Sequence, residues 1–482
     1  MKRQSLDDVA LQRCYDRKLS ESASGFTLRF SARFMHPKFA LLRREWLSEA
    51  DTFALKSLCT RPIKRGVQPE YDDSEIYAVK TGTLKNGWLD WEEAQSVSED
   101  FFENMKRRAG LRRNDVLVSS TGVGSLGKVD IYERDEPALA DGHISIVRIN
   151  AENYEPALLI QLLRHRVVQW QIEQGLTGST NQIDIYPNQI ESLRVPRLDS
   201  DVRKKLLAKV TRIETEIANA RAALRAPDDV IDEILCAEFN YPLAEHRERA
   251  RIRHFTRTIG TMTAGFTLRN SAKFHHPDFE LTEDFFSRTP HCRIRNILAR
   301  RPKLGAQISP SDFEDDSDQF YLTPAAIKSG RLNESALRSI TDEFFQQHAW
   351  KLGLCRNDII LGASGEGMGK VGIFDSDRDA IFSQFIMRLR FNSEMNPDFA
   401  CYFMRSVMFQ TQIEREKRGT NIPNIFPTEV ERMLVVNCVR QRQNELAARI
   451  STTLAALDIH RAAIESKRAE ITKLIDEAIH VS

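Results

Sequence analysis

The chain is short of nearly every local signature of chemistry or membrane insertion. No run of 18 apolar residues exists that could span a bilayer. The opening stretch MKRQSLDDVALQRCYDRK lacks the apolar core of a signal peptide, so a cytoplasmic chain with no membrane association is expected. The seven cysteines, Cys14, Cys59, Cys236, Cys292, Cys355, Cys401 and Cys438, are scattered and never form a CxxC. That spacing excludes a zinc ribbon and fits reduced thiols. There is no HExxH, and the two histidines that precede prolines, His36 and His276, read as turn or packing residues. No NPPY-like or FxGxG segment marks methyl transfer or its cofactor. Glu465-Ser-Lys467 has a nuclease-like ExK spacing but lies in a helical stretch with no strand acid nearby. A catalytic constellation, a metal and a cofactor are therefore all unexpected. Charge is also nearly absent in sum: the net value of +1 gives no global pull toward nucleic acid, although local basic patches matter more than the total.

What the chain does have is repetition. Residues 25–39, GFTLRFSARFMHPKF, return at 265–279 as GFTLRNSAKFHHPDF, with eleven of fifteen positions identical at an offset of 265 − 25 = 240. That period is far above the roughly 20–50 residues of a solenoid unit, so each copy is read as a domain. The 482 residues, 41% hydrophobic, suffice for two such cores. Further matched segments keep the same order. GLRRNDVLVSSTG (110–122) pairs with GLCRNDIILGASG (353–365), where an Asn-Asp turn feeds a β-branched strand. KVDIY (128–132) and KVGIF (370–374) alternate as second strands. Helices follow with core stripes Leu158, Leu159, Leu162, Leu163, Val167 and Trp170 in copy one, and Phe399, Tyr402, Phe403 and Val407 in copy two. Each is expected to stop near a glycine, Gly175 or Gly419. Pro187 and Pro427 then fit the first turn of a short helix.

Two helical blocks separate and follow the copies. Val202, Leu206, Val210, Ile213, Ile217, Ala220 and Leu224 step by three or four residues, an a/d seam with charged outer positions. The tail repeats the pattern with Leu446, Ile450, Leu457, Ile464, Ile471 and Ile475, interrupted at Thr453 and His460. Those interruptions argue for two helices of one chain packing together. Ile231-Asp-Glu-Ile and Ile475-Asp-Glu-Ala imply that the blocks are duplicated too. The boundaries read as 1–198, 199–240, 241–437 and 438–482.

The candidate site residues come in pairs. Gly122-Val-Gly-Ser-Leu-Gly-Lys128 meets the GxxxxGK part of a phosphate-binding loop, but Val129 stands where a magnesium-binding Ser or Thr is needed, and a strand follows instead of a helix. Gly365-Glu-Gly-Met-Gly-Lys370 loses the spacing. A Gly-rich turn ending in lysine instead offers backbone N–H groups and one cation to a DNA phosphate, or else is a tight hairpin with a solvent-facing lysine. Arg113 and Arg356, beside the Asn-Asp turns, are further candidates for phosphate. Thr180-Asn181 and Thr420-Asn421 carry groups able to reach a backbone or base edge, against a helix-capping alternative.

Taken in order and twice over, these motifs resemble the specificity (S) subunit of type I restriction-modification systems. GSLGKVDIY (124–132) and GMGKVGIF (367–374) are similar to that family's GxxGK strand-turn-strand. GSTNQIDIYPNQIESLRVP (178–196) and GTNIPNIFPTEVERMLV (419–435) are similar to its domain-closing segment. The first copy departs by one extra residue in each of these turns. The resemblance implies an α+β fold: two homologous mixed α/β target-recognition domains joined by two long antiparallel helices in an intramolecular coiled coil. It implies a non-catalytic subunit that reads a bipartite, asymmetric site on double-stranded DNA and docks two adenine-methylating (M) subunits, with a motor-nuclease (R) subunit joining for restriction. From Val202 to Leu224 the first block spans about 33 Å at about 1.5 Å per residue, near the roughly 34 Å of one DNA turn. Two other readings compete with it: a self-contained nuclease or NTPase built on the Gly-Lys loops, and a coiled-coil scaffold that does not touch DNA.

Overall fold

A computed structural model describes residues 32–47, 52–72, 74–152, 154–178, 183–258, 271–419 and 422–481. Most of the repeated opening segment, 25–31 and 265–270, lies outside these residues, as do Thr180, Asn181, Thr420 and Asn421. The chain divides into two compact units. One comprises residues 1–222 and 462–482, the other residues 223–461.

In the first unit the strand-forming runs make a four-stranded antiparallel sheet from β1 (Lys64–Arg65), β2 (Val116–Ser119), β3 (Val129–Ile131) and β4 (Ile144–Val147), ordered β1-β4-β2-β3. A smaller sheet places Tyr77–Val79 between an antiparallel Gln95–Ser96 and a parallel Ala138–Ala140. Every residue of β2 is buried, because both of its faces are covered and a polar alternation would leave groups unpaired. The expected single helix is two: α1 (Pro156–Arg164) and α2 (Arg166–Gly175). His165 between them adopts an extended ψ of 146° and its ring Nδ1 accepts from the Val167 amide at 3.4 Å, so the break caps the second helix. Pro187 opens the short helix Pro187–Glu191 as its spacing predicts.

The first helical block is shorter than its seam. Helix α3 covers Ser200–Ala222, burying Leu206, Val210, Ile213 and Ile217, and stops before Leu224. The next helix, α4 (Pro227–Phe239), starts on Pro227, which supplies no N–H to continue a helix across residues 223–226, and Asn240 closes it at φ 57°.

The second unit repeats the scheme with additions. Its main sheet holds β5 (Leu298–Leu304), β6 (Ile327–Lys328), β7 (Arg331–Leu332), β8 (Asp358–Gly362), β9 (Val371–Phe374) and β10 (Ile386–Phe391), in the order β5-β10-β8-β9-β7-β6. A smaller sheet again sets one strand, Gln319–Leu322, between an antiparallel Arg338–Ser339 and a parallel Asp379–Phe382. Strand alternation splits β8 between two cores. Ile359 and Leu361 join Phe399, Phe403 and Phe409, whereas Ile360 joins Leu322, Phe374 and Phe382. Each such buried aliphatic side chain contributes roughly 1.5–3 kcal/mol. Helices α5 (Pro397–Arg405) and α6 (Val407–Glu416) break at Ser406, as α1 and α2 do at His165; α6 ends three residues short of Gly419.

The last helix, α7, runs from Arg440 to Val481. Its residues 440–461 belong to the second unit, where Leu446, Ile450 and Leu457 share a core with Val230, Ile231, Ile234 and Leu235 of α4, and Arg442 pairs with Glu238 at 2.5 Å. Its residues 462–481 belong to the first unit, where Lys467 pairs with Glu216 of α3 at 2.7 Å. Thr453, the interruption in the seam, is exposed and donates to the Arg449 carbonyl. The helical blocks are duplicated in their contacts as well. Asp232 of α4 accepts from the Val407 amide at 2.6 Å, and Asp476 of α7 meets His165 Nε2 at 3.1 Å. Each aspartate reaches the helix break of its own unit.

Candidate nucleic-acid interface

The turn between β2 and β3 is fixed by glycines with left-handed backbone: Gly122, Gly124 and Gly127 have φ of 90°, 82° and 82°. Gly127 N–H donates to the Ser119 carbonyl at 2.9 Å and Lys128 N–H to Ser125 at 3.1 Å. Most loop amides are thus satisfied internally, contrary to a fully open phosphate cradle. The tip amides of Val123 and Gly124 have no hydrogen-bond partner among the described residues. A strand, not a helix, follows Lys128, so the loop does not itself open a helix N-terminus. The second unit closes the turn with a tight Gly365–Gly367 turn, and Gly369 again has φ 81°.

Both loops are clamped by a residue that the sequence reading passed over. Gln169 Nε2 donates to the Gly127 carbonyl at 2.9 Å and to Leu163 at 2.7 Å; Gln410 Nε2 donates to Gly369 at 3.0 Å and Met404 at 2.6 Å. The signal was present as the repeated Gln-x-Gln of 169–171 and 410–412. The partner glutamines, Gln171 and Gln412, each bridge to the backbone of the closing strand at Arg194 and Leu434.

Beside each Gly-Lys loop sits the closing turn. Thr177 and Asp184 exchange two backbone hydrogen bonds at 2.9 Å, and Arg418 and Asn424 do the same at 2.9 and 2.8 Å. These turns dock on the loops through Gly122 N–H to Ile183 and Gly365 N–H to Pro423. The flanks of Thr180-Asn181 and Thr420-Asn421 are therefore brought against the lysine loop, while those four residues are not described. Lys128 is half-buried and Lys370 exposed, and neither ammonium has a partner among the described residues.

Arg113 and Arg356 are elsewhere. They lie at the open end of the same hairpins, with the full lengths of β2 and β8 between them and the lysines. Each is exposed and held by an aspartate: Arg113 Nη1 to Asp135 at 2.8 Å, Arg356 Nε and Nη2 to Asp377 at 2.9 and 2.6 Å. The neighbouring Asn114 and Asn357 take φ of 72° and 74°, the left-handed conformation that asparagine tolerates in turns. Asp115 and Asp358, next in sequence, are buried and each receives a two-pronged arginine: Arg148 at 2.7 and 2.6 Å, Arg390 at 2.6 and 2.6 Å. The Asn-Asp step is thus a structural anchor, repeated in both units.

Around the lysine end, matching backbone presents unlike side chains. The first unit shows Val123, His143 and Tyr186 to solvent; the second shows Phe385, Ile422 and Phe426. Arg65 lies 5.4 Å from the Tyr186 ring and is tied to Asp184 at 2.9 Å, whereas Arg418 lies 6.0 Å from Phe426 and is tied to Glu429 at 2.5 Å. A rim of cations, aromatics and amides on a rigid loop can contact phosphates and base edges. Among the described residues no cluster could hold a metal ion, and no helix is long and apolar enough to cross a membrane.

No protein-family model matches the sequence, and no curated protein does. Among solved structures, the chain is similar to the S subunit of a type I restriction-modification system from M. genitalium, at 11% identity and a TM-score of 0.44, covering 89% of this chain and 95% of that one. It is similar to a structure describing complex assembly and conformational transition of the type I R-M system, at 12% identity, TM-score 0.39, 89% and 97% coverage. It is also similar to the HsdS subunit from Thermoanaerobacter tengcongensis, at 10% identity, TM-score 0.31, 89% and 96% coverage.

Proposed function

We propose that this protein is the DNA sequence-specificity subunit of a type I restriction-modification complex. Each unit reads one half of a bipartite, asymmetric site on duplex DNA, and the helical segments carry two methyltransferase subunits, with a motor-nuclease subunit joining for restriction. It is not itself an enzyme in this reading. The observation that carries it is the pair of Gly-Lys hairpin ends: the same half-buried glutamine clamp in both units (Gln169 and Gln410), the same lysine with no partner among the described residues (Lys128 and Lys370), and different exposed side chains around it. A shared frame with divergent rims is what reading two different half-sites requires. Thr180, Asn181, Thr420 and Asn421 fall in sequence between the flanks that dock on those loops and are proposed as contacts. Arg113 and Arg356 would join by exchanging Asp135 and Asp377 for phosphate.

In a competition gel shift with its methyltransferase partner, the complex should prefer one split sequence, with affinity falling steeply as salt rises. Indifference to sequence would overturn the reading. Inserting four residues after Ala218 should lengthen the recognised spacer, with both half-sites unchanged on methylation mapping. A changed half-site would contradict a spacing role for the helices.

A further inference from the structure

At the end of each sheet opposite the Gly-Lys loop, three guanidiniums gather around one buried carboxylate. In the first unit the charges bearing on Arg61 are those of Arg148, Asp115 and Arg112, three guanidiniums to one carboxylate. Asp115 is already satisfied, since Arg148 grips both its oxygens and the Arg112 amide donates at 2.8 Å. Arg61 is left over: its Nε and Nη2 are buried and have no hydrogen-bond partner among the described residues. Burial and the nearby Arg148 both work against its charge. A buried cationic donor with nothing to donate to is costly, and native proteins rarely keep one without a reason.

The second unit keeps this surplus but builds it differently. Arg390 grips Asp358, and Arg388, nearly fully buried, donates to the Gly353 carbonyl at 2.8 Å. Arg388 feels Asp358, Arg390 and Arg300, again three guanidiniums to one carboxylate. Arg61 and Arg300 hold matching places, each five residues before a glycine (66 − 61 and 305 − 300) whose added Cβ would meet a carbonyl oxygen at 1.9 Å, at Ala140 or Phe382. The third arginine does not match. Arg112 has Cys355 as its counterpart, and Arg388 has Ile146. A single Asp–Arg pair would suffice to hold the turn, yet both units carry two further guanidiniums beside it.

We propose that each unit seats one phosphate-type oxyanion on this cluster, held by Arg61 and Arg112 in the first unit and by Arg300 and Arg388 in the second. Guanidinium forks suit the geometry of phosphate oxygens. The anion comes from a DNA backbone phosphate, a source that rests on the function proposed above, or from a free phosphate-class ligand.

Two arms separate these sources. In the first, the full-length protein is melted in inorganic phosphate and in chloride at equal ionic strength. Phosphate should raise the midpoint of the wild type, less in Arg61→Gln and in Arg300→Gln, and least in the double variant. In the second, DNA affinity of the complex with its methyltransferase partner is measured against salt. Each substitution should lower the slope of log K on log salt by about 0.9 without changing the preferred sequence. A phosphate effect alone assigns the seat to a free ligand, and a slope change alone to DNA. If the substitutions change neither the phosphate effect nor the slope, the seat does not exist. Should Arg61→Gln fail to fold, exposed Arg112→Gln tests the same seat. Failure of the wild type to bind DNA would sink the proposed function and leave the phosphate arm to decide this one.

Discussion

Set side by side, the two units agree in the hydrogen bonds that tie their turns and disagree in the side chains around the Gly-Lys rim. Asp115 with Arg148 matches Asp358 with Arg390 to within 0.1 Å in each hydrogen bond, and the glutamine clamps match almost as closely. Their rims share little: His143 stands opposite Phe385, and Tyr186 opposite Phe426. A duplicated frame is held constant by the cost of leaving a buried charge or amide unpaired, while solvent-facing positions carry no such penalty. The difference teaches where to look for specificity, and it can be broken from either side.

The largest effect should come from breaking the shared frame. Asp115→Ala leaves Arg148 without its carboxylate at a buried turn and should cost about 3–5 kcal/mol. Chemical denaturation should show this loss, and hydrogen exchange should place it in the first unit, with β8 to β10 of the second unit keeping their protection. Equal loss of protection in both would mean that the units do not act as separate frames. A smaller effect, about 1–3 kcal/mol per affected base pair, is expected from exchanging the rims. The double substitution His143→Phe with Tyr186→Phe gives the first unit the ring pattern of the second. Methylation mapping should then show one altered half-site and one unchanged. Both unchanged would remove these residues from recognition.

Much of this was legible in the sequence because duplication doubles every signal. The Asn-Asp turn, the strand-loop-strand of the Gly-Lys segment and the prolines opening the short helices each occur twice, in the same order and at offsets of 357 − 114 = 243, 370 − 128 = 242 and 427 − 187 = 240. What escaped was what depends on long-range partners. Nothing local in Arg113 announces Asp135, which is 22 residues away, and nothing in Gln169 announces the Gly127 carbonyl. The helix breaks at His165 and Ser406 were hidden because an apolar stripe continues across them. The a/d seam overran the true helix end at Ala222 because periodicity registers Leu224 but not the consequence of Pro227.

The smallest expected effect separates two aspartates at matching places in the duplicated helical blocks. Asp476 is held below the ordinary carboxylate range: burial opposes its charge, but His165 and Arg166 prevail. Asp232 goes the other way. Burial pushes it up to about 7, with the Val407 amide pulling back and Asp228 and Asp229 adding repulsion. For Asp476 the folded state prefers the ion, so its contribution is present above the unfolded carboxylate value and lost as pH falls below it. For Asp232 the folded state prefers the proton, so stability is lost as pH rises from the unfolded value through about 7. Asp232→Asn keeps an oxygen to accept from Val407 and removes the ionisation. It should stabilise the second unit near pH 8, where the folded carboxylate is ionised against its surroundings, and by almost nothing near pH 4. Asp476→Asn should destabilise the first unit at both. Thermal melts of the two variants across that range would show opposite signs at the upper end; a common sign would mean that the two helix breaks are held in the same way after all.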